Sequence, residues 1–247
     1  MAERTQPRFA IGIPARNEAE LVSRCIESVL ASADALWDPS AVRLVIGCDS
    51  CSDGTADIVR AIAMGDDRLD VIEGTWESAG ACRAAAIRHA LEVVRNGTSL
   101  SDIWVATTDA DTLVPSDWLC SHAGHWSQGD DAVAGIVDLL DDDEDVLSVF
   151  GRHYVLGHRS HGHVHGANLG IRADAYLSVG GFPSVALAED HALWNALRRA
   201  GFTCRSSVAL RVSTSARLTG CAVGGFADTL RTLLIDAVSD SVAVSNA

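Results

Sequence analysis

Two aspartates separated by one residue have the spacing of a metal clamp. Asp109 and Asp111 follow Ile103–Thr108, an apolar and β-branched run that predicts a buried strand. Carboxylate oxygens are the ligands that hard divalent cations prefer, and a cation held there can bind a diphosphate. The structural alternative is a solvated turn, since D-x-D is common by chance. Because the pair stands at the end of a buried strand, we interpret it as a candidate cation site.

Two further polar side chains fall where a ligand could reach them. Asp49 comes directly after the predicted strand Val42–Cys48, and its carboxylate could accept a hydrogen bond from a ring N–H of a nucleobase. Arg83 lies among small residues in the first turns of the predicted helix Ala79–Arg95, where it could bind an anion. The alternatives are a helix cap for Asp49, a role that suits Asp53 better, and an ordinary exposed arginine for Arg83.

An acidic pair and a group of histidines complete the candidates. Glu189 and Asp190 open a predicted helix, whose dipole favours carboxylates there. We expect the dipole to keep their pKa low, so that one of them is ionised at pH 7 and acts as a general base. His161, His163 and His165 alternate along one segment, and would share one side of it if it is extended. We interpret the first two as parts of a polar loop. The retained metal-ligand candidates are His165 and His191.

Strands that alternate with helices must position these residues. The absence of hairpin turns favours a mainly parallel, doubly wound α/β sheet of the Rossmann-like kind. Ligands bind such sheets at the carboxyl ends of the strands, where Pro14, Asp49 and Asp109 fall. The predicted strands are Phe9–Pro14, Val42–Cys48, Leu69–Glu73, Ile103–Thr108, Ala132–Asp138 and Asn168–Ile171. The predicted helices are Glu18–Ser32, Ala56–Met64, Ala79–Arg95, Pro115–Trp126, Val146–Gly157, Ala173–Val179 and Glu189–Ala200.

Composition narrows the class of protein. The 247 residues, 48% of them apolar, can bury one sizeable core. We expect a single domain with two halves (about 9–127 and about 128–238) and a flexible tail (239–247). The net charge of −14 argues against nucleic-acid binding. No signal peptide or transmembrane run is visible, so we expect a cytoplasmic protein.

The cysteines do not have the spacing of a disulfide framework. There are seven, an odd number, and their spacing predicts free thiols rather than disulfides. Cys48 and Cys51 form a C-x-x-C, but no second pair lies at zinc-site spacing. A redox role for this pair stays open.

Six short segments occur in a characteristic order. I-P-A-R-N-E at 13–18 resembles a P-x-x-N-E motif, and D-S-C-S-D-G-T at 49–55 resembles D-G-S-x-D-G-T. A-C-R-A-A-A at 81–86 is similar to an A-R-N segment, and T-D-A-D-T at 108–112 matches D-x-D. Residues 166–182, which begin G-A-N and end G-G-F, precede an E-D pair at 189–190. Together they resemble the family 2 glycosyltransferases, which have the GT-A fold. The resemblance implies that the half at about 9–127 binds a nucleotide-sugar and that the half at about 128–238 binds the acceptor.

That resemblance implies transfer of a sugar from a UDP- or GDP-linked donor to an unidentified acceptor hydroxyl, with Mg²⁺ or Mn²⁺. It implies that Asp111 binds the metal directly and that Asp109 contacts the ribose or a metal-bound water. Asp190, beside Glu189, is then the base, and the anomeric carbon is inverted. The implied donor-binding residues are Pro14, Ala15, Arg16, Asn17, Glu18, Asp49, Arg83, Asp109, Ala110 and Asp111. The implied acceptor-side residues are Gly166, Ala167, Asn168, Gly181 and Phe182.

The chain departs from the family pattern in places. Cys48 replaces the first Asp of the usual D-D, and Ala84 replaces the Asn after Arg83. The Q-x-x-R-W motif of processive synthases is absent after residue 190, which favours single transfers. Arg217, in S-T-S-A-R-L-T, is a weaker candidate for the diphosphate.

Two other functions are alternatives to sugar transfer. A sugar-phosphate nucleotidyltransferase would need a Gly-rich loop bearing Arg and Lys after the first strand, whereas this loop is P-A-R-N-E and the chain has no Lys. A non-catalytic nucleotide-sugar-binding module is disfavoured by the joint presence of Asp49, Asp109, Asp111 and Asp190.

Overall fold

Helices and strands alternate through most of the chain. The computed structural model describes residues 6–76, 78–140, 144–154, 161–185, 187–217 and 231–232. The strands are β1 (Arg8–Ala15), β2 (Val42–Asp49), β3 (Leu69–Gly74), β4 (Ile103–Thr107), β5 (Thr112–Leu113), β6 (Ala132–Leu140), β7 (Leu169–Arg172) and β8 (Cys204–Ser215). The helices are α1 (Val22–Asp34), α2 (Thr55–Ala63), α3 (Ala79–Arg95), α4 (Trp118–Ser127), α5 (Glu144–His153), α6 (Ala173–Ser178) and α7 (Glu189–Arg199).

The described strands form one sheet in the order β3-β2-β1-β4-β7-β6-β8-β5. Strands β3, β2, β1 and β4 are parallel, which confirms the doubly wound half. Beyond them, β7 is antiparallel to both β4 and β6, β8 is parallel to β6, and β5 is antiparallel to β8. Because β7 runs against β4, the beginning of β7 lies beside the end of β4. The second half of the sheet therefore contributes residues to the carboxyl edge of the first half.

The core lies on both faces of this sheet. Alternate residues of β1 point to opposite faces: Phe9, Ile11 and Ile13 pack with α1 and α2, whereas Ala10 packs with α3. Two glycines let α3 approach the sheet closely. A Cβ on Gly12 would lie 2.5 Å from Ile87 Cγ1, and one on Gly47 would lie 2.6 Å from Cys82 Sγ.

The element boundaries differ from the predictions at specific residues. Helix α1 begins at Val22 rather than Glu18, because the Glu18 carbonyl accepts the amides of Leu21 and Val22 in a turn. Strand β8 was not predicted, since Cys204–Ser215 mixes Ser and Arg with short apolar residues and is only partly buried. The predicted end of α5 at 155–157 and the tail at 239–247 lie outside the described residues.

None of the helices in the described part of the chain is both long enough and apolar enough to cross a membrane. The cysteines described there, Cys25, Cys48, Cys51, Cys82, Cys120 and Cys204, are free.

Candidate functional site

The predicted donor-binding residues converge on one edge of the sheet. This carboxyl edge is formed by the residues that follow β1, β2 and β4, and parallel pairing brings those three strand ends together. Helices α3 and α7 begin beside it: a Cβ on Gly80 of α3 would lie 2.7 Å from Glu189 Cγ of α7. Residues predicted in both halves of the chain therefore meet here.

The loop after β1 is held by the loop after β2. Pro14 and Ala15 end the strand, and Asn17 adopts a left-handed backbone conformation with φ of 58°. The Asn17 side-chain oxygen accepts the Ser52 amide at 2.8 Å. The Glu18 amide donates to Thr55 Oγ1 at 2.8 Å. Arg16 remains half exposed, with its Nη1 atom 3.9 Å from Asp49 Oδ2.

Asp49 is buried at the end of β2. Its Oδ1 accepts the Trp76 amide at 2.9 Å and the Ser50 hydroxyl at 3.3 Å, which orients the carboxylate. Asp53, and not Asp49, bonds the start of α2, since its Oδ1 accepts the Thr55 amide at 3.0 Å. The N-cap residue of α2 is Gly54, so Asp53 bonds the helix start from one position before the N-cap rather than as the predicted cap.

The first cysteine of the C-x-x-C, Cys48, gives no sign of a reactive thiolate. Burial, together with the neighbouring Cys51, raises the pKa of Cys48 to about 12. A thiol that stays protonated is a poor nucleophile. The redox alternative therefore gains no support.

The two aspartates of the D-x-D have different surroundings. Asp109 is partly exposed, and Ala110 is buried. Asp111 is more enclosed: its Oδ1 accepts the Thr214 hydroxyl at 3.2 Å, and its Oδ2 lies 3.1 Å from Arg217 Nη2. Burial, with the nearby Asp109 charge, raises the pKa of Asp111 to about 6. The Asp111 carboxyl is therefore harder to ionise than an exposed aspartate.

Arg83 is the buried centre of the site. Its side chain is 3% exposed, with Nη2 2.6 Å from Asp109 Oδ1 and Nη1 2.8 Å from Glu189 Oε1. The guanidinium also lies over the Phe182 ring, 5.1 Å from its centroid. The alternative of an ordinary exposed helix arginine is therefore wrong. The predicted nucleotide contact stays a prediction.

Asp190 is oriented by two backbone amides. Its Oδ2 accepts the Gly166 amide at 3.0 Å, and its Oδ1 accepts the His191 amide at 2.7 Å. The expectation of a lowered pKa is wrong. Burial, with the neighbouring Glu189 charge, raises the pKa of Asp190 despite those two bonds, because desolvation disfavours the charged form more than the helix start favours it.

The histidines share one side of their segment, as predicted. The rings of His161, His163 and His165 stack at centroid spacings of 5.9 Å, and the Tyr154 ring covers His163 at 4.1 Å. Burial, with the neighbouring His163, lowers the pKa of His165 to about 4.

Those histidines do not complete a metal site. Among the described residues, no three His, Cys, Asp or Glu side chains are placed to hold a metal ion. The suggestion that His165 or His191 joins Asp109 and Asp111 is therefore not realised in this structure. Two carboxylates alone still form a donor set that suits a hard cation.

The predicted acceptor-side residues lie mostly behind the surface. Gly166, Ala167 and Asn168 are buried, and Phe182 packs under Arg83. Gly181 has φ of 72°, and a Cβ there would lie 2.8 Å from the Tyr176 ring. We interpret these residues as a layer beneath the site, which holds the surface residues in place and does not itself form the surface.

Sequence reasoning missed the pairing of Glu18 with Arg217. Both Arg217 Nη atoms contact the Glu18 carboxylate, and Nη2 also reaches Asp111. The antiparallel pairing of β5 with β8 brings this part of the chain to the D-x-D. The only signal was Arg217 itself in S-T-S-A-R-L-T, and nothing pointed to Glu18 as its partner.

Comparison with known proteins places this arrangement in a family. The sequence model of Glycosyl transferase family 2 matches residues 10–173. The chain belongs to this family. The match runs from β1 into the start of α6, and so includes the loop after β1, Asp49, Arg83 and the D-x-D. No curated protein matches this family 2 chain by sequence.

Solved structures share its fold. S. aureus TarS 1–349 in complex with UDP-GlcNAc has a TM-score of 0.64 and 13% identity, over 87% of this chain and 60% of that one. PcManGT, a mannosyltransferase from Pyrobaculum calidifontis in complex with GDP-Man and Mn²⁺, has a TM-score of 0.60 and 17% identity, over 99% of this chain and 76% of that one. GalNAc-T7 with UDP, GalNAc and Mn²⁺ has a TM-score of 0.63 and 12% identity, over 86% of this chain and 44% of that one. The GT-A fold is thereby confirmed, and the chain spans 60% of TarS 1–349.

Proposed function

We propose that this family 2 chain transfers a sugar from a nucleoside diphosphate donor to an acceptor hydroxyl. The observation that carries the proposal is the buried link from Asp109 through Arg83 to Glu189. It joins the D-x-D, where a donor diphosphate would bind, to the helix start that bears Asp190. A leaving-group site and a base on opposite sides of one reaction centre are what a displacement needs.

Different residues would bind different parts of the donor. The orientation of the Asp49 carboxylate suits the ring N–H of a nucleobase, and the loop at 14–18 would line the nucleoside. The donor is UDP- or GDP-linked, because the structural neighbours TarS and PcManGT are complexed with UDP-GlcNAc and GDP-Man. Arg217 stands close enough to Asp111 to reach a diphosphate there.

Asp111 and Asp109 would hold Mg²⁺ or Mn²⁺. Burial, with the neighbouring Asp109 charge, raises the pKa of Asp111, and a cation bound beside the carboxylate would offset both effects. PcManGT and GalNAc-T7 are complexed with Mn²⁺. When bound, a divalent cation supplies Lewis-acid stabilisation of the negative charge on a diphosphate leaving group.

Asp190 is the proposed general base. It would take the proton from the acceptor hydroxyl as the hydroxyl oxygen bonds to the anomeric carbon and the bond from that carbon to the diphosphate oxygen breaks. A raised pKa suits this role, because a base is more effective when its pKa lies nearer the working pH. Attack from the face opposite the leaving group inverts the anomeric carbon. Transfer would be non-processive, since the Q-x-x-R-W motif of processive synthases is absent from this sequence.

The test is a product assay on the intact chain with Mn²⁺, a panel of UDP- and GDP-sugars, and a panel of acceptors that carry a free hydroxyl. We expect free nucleoside diphosphate from wild type. Asp190→Asn should keep donor affinity and lose about 10²–10⁴-fold in turnover, the usual contribution of a general base. Asp174→Asn, at the start of α6, is a matched control that should behave like wild type.

Each other outcome identifies a different function. Release of pyrophosphate from UTP or GTP in the presence of a sugar 1-phosphate would indicate nucleotidyl transfer. Donor binding without any product would indicate a binding module. If Asp190→Asn loses donor binding together with turnover, Asp190 is structural and the proposed base is wrong.

A further inference from the structure

The buried arginine of the site has an unusual set of partners. Arg83 joins two carboxylates that lie 26 and 106 residues further along the chain. Asp109 belongs to the donor-side D-x-D, and Glu189 stands beside the proposed base Asp190. With a side chain only 3% exposed, Arg83 has little surface left for a ligand.

Two glycines leave room for this arginine and its partner. A Cβ on Gly166 would lie 2.8 Å from Cζ, Nη1 and Nη2 of Arg83, so a side chain there would displace the guanidinium. A Cβ on Gly80 would lie 2.7 Å from Glu189 Cγ. The Gly166 amide also donates to Asp190 Oδ2 at 3.0 Å. The surroundings of Arg83 thus include the residue that orients the base.

We propose that Arg83 is a positioning residue, which sets the placement of Asp190 relative to the donor-side D-x-D and does not bind the nucleotide. The inference rests on the proposed function, and departs from the nucleotide contact that the family resemblance implied for this residue. Its physical basis is the planar guanidinium, whose two Nη groups hold two carboxylates at a fixed separation. A lysine ammonium keeps the charge but cannot hold both partners in that geometry.

The distinguishing variant is Arg83→Lys, with Arg88→Lys as its control on the exposed side of the same helix. UDP and GDP binding is measured with Mn²⁺ by calorimetry, using whichever nucleotide binds wild type, and turnover is measured separately. We expect the Arg83→Lys dissociation constant to stay within about threefold of wild type while kcat falls about 100-fold, the effect of misplacing a reacting group by about 1 Å.

A second variant reaches the same site without changing any charge. Gly166→Ala should push the guanidinium aside, lower kcat and leave nucleotide affinity unchanged. Gly124→Ala is its control, because a Cβ there meets no atom within 4 Å. In a double-mutant cycle, Arg83→Lys and Glu189→Gln should lose less kcat together than the product of their separate losses, since both break one link.

The binding and turnover measurements separate the two proposals. A loss of nucleotide affinity of tenfold or more in Arg83→Lys would make Arg83 a ligand contact and overturn the positioning role, whether or not the enzyme turns over. Unchanged kcat in Arg83→Lys would also overturn it. If wild type binds nucleotide but forms no product from any donor, the proposed function fails, and the positioning role fails with it.

Discussion

At the residue scale, the site is defined by an excess of negative charge around the D-x-D. The carboxylates of Glu18, Asp109 and Asp111 lie close together there. Arg217 contacts both Glu18 and Asp111. Arg83 contacts Asp109 on the other side. The raised pKa of Asp111 shows that these arginines do not fully compensate the burial and crowding of its carboxylate. A divalent cation would complete the balance.

Asp111→Asn should therefore change stability and metal response in opposite directions. Without metal, replacing a crowded buried carboxylate by a neutral amide should raise stability by about 1 kcal/mol, or about 2–4 °C in Tm. With Mn²⁺ and UDP or GDP, the stabilisation that we expect for wild type should be lost, because the proposed direct ligand is gone. Thermal shifts of wild type, Asp111→Asn and the exposed control Asp57→Asn measure both effects.

The metal clamp is wrong if Mn²⁺ does not raise the Tm of wild type in the presence of nucleotide. It is also wrong if Asp111→Asn responds to Mn²⁺ as strongly as wild type does.

At the element scale, helix α4 is joined to the sheet through a buried histidine. His122 is fully buried, accepts the Trp104 indole N–H at 3.2 Å on Nδ1, and meets the Trp118 ring edge-on at 4.8 Å. Strand β7 comes so close that a Cβ on Gly170 would lie 2.3 Å from His122 Nδ1. Burial lowers the pKa of His122 to about 3. The helix therefore packs on the sheet in this way only while the His122 imidazole is neutral.

This packing predicts a loss of stability in mild acid. The unfolded chain takes up a proton on His122 below about pH 6.5, whereas the folded chain does not until about pH 3. The contribution is thus complete above pH 6.5 and falls as the pH drops toward 3, by up to about 1.4 kcal/mol per pH unit. The amide oxygen of His122→Gln can still accept the indole N–H. In this variant, the free energy of unfolding measured in urea should fall less steeply from pH 7 to pH 5 than it does in wild type. Equal slopes would contradict the assignment.

At the scale of the whole molecule, one buried amide links the irregular half of the sheet to the helix layer. Asn168 Nδ2 donates to the carbonyls of Ile136 in β6 and Leu210 in β8, at 2.9 and 3.0 Å. Its Oδ1 accepts the Trp118 indole N–H of α4 at 3.0 Å. The β6–β8 register shifts at this place, between Ala134 and Ile136. Asn168 satisfies backbone groups near that irregularity, and so supports the segment that carries Gly166.

Asn168→Asp should therefore destabilise the entire fold. The change removes both donors and sets a carboxylate against two carbonyl oxygens, at a cost of about 2–4 kcal/mol. Urea unfolding gives the value, with the exposed Asn195→Asp of α7 as the matched control. A loss no greater than that of the control would mean that Asn168 does not link these elements.

The sequence by itself determined the parallel half of the fold and the edge where the candidate ligand residues stand. Apolar periodicity reports local burial, and parallel strands must end at one edge, so Asp49, Asp109 and Asp111 could be placed together from their positions after strands. The helix Ala79–Arg95 was predicted with both ends correct for the same local reason. Strand β8, with its mixed composition, carried no such signal.

Only the tertiary structure decided which charges meet. Arg83 and Glu189 are 106 residues apart, and Glu18 and Arg217 are 199 apart, so no local pattern could pair them. The pKa of Asp190 rises instead of falling for the same reason: desolvation depends on everything packed around a carboxylate, whereas a helix start can be read from a few residues. Periodicity places side chains on an element, but the electrostatics of a site depends on which elements fold against one another.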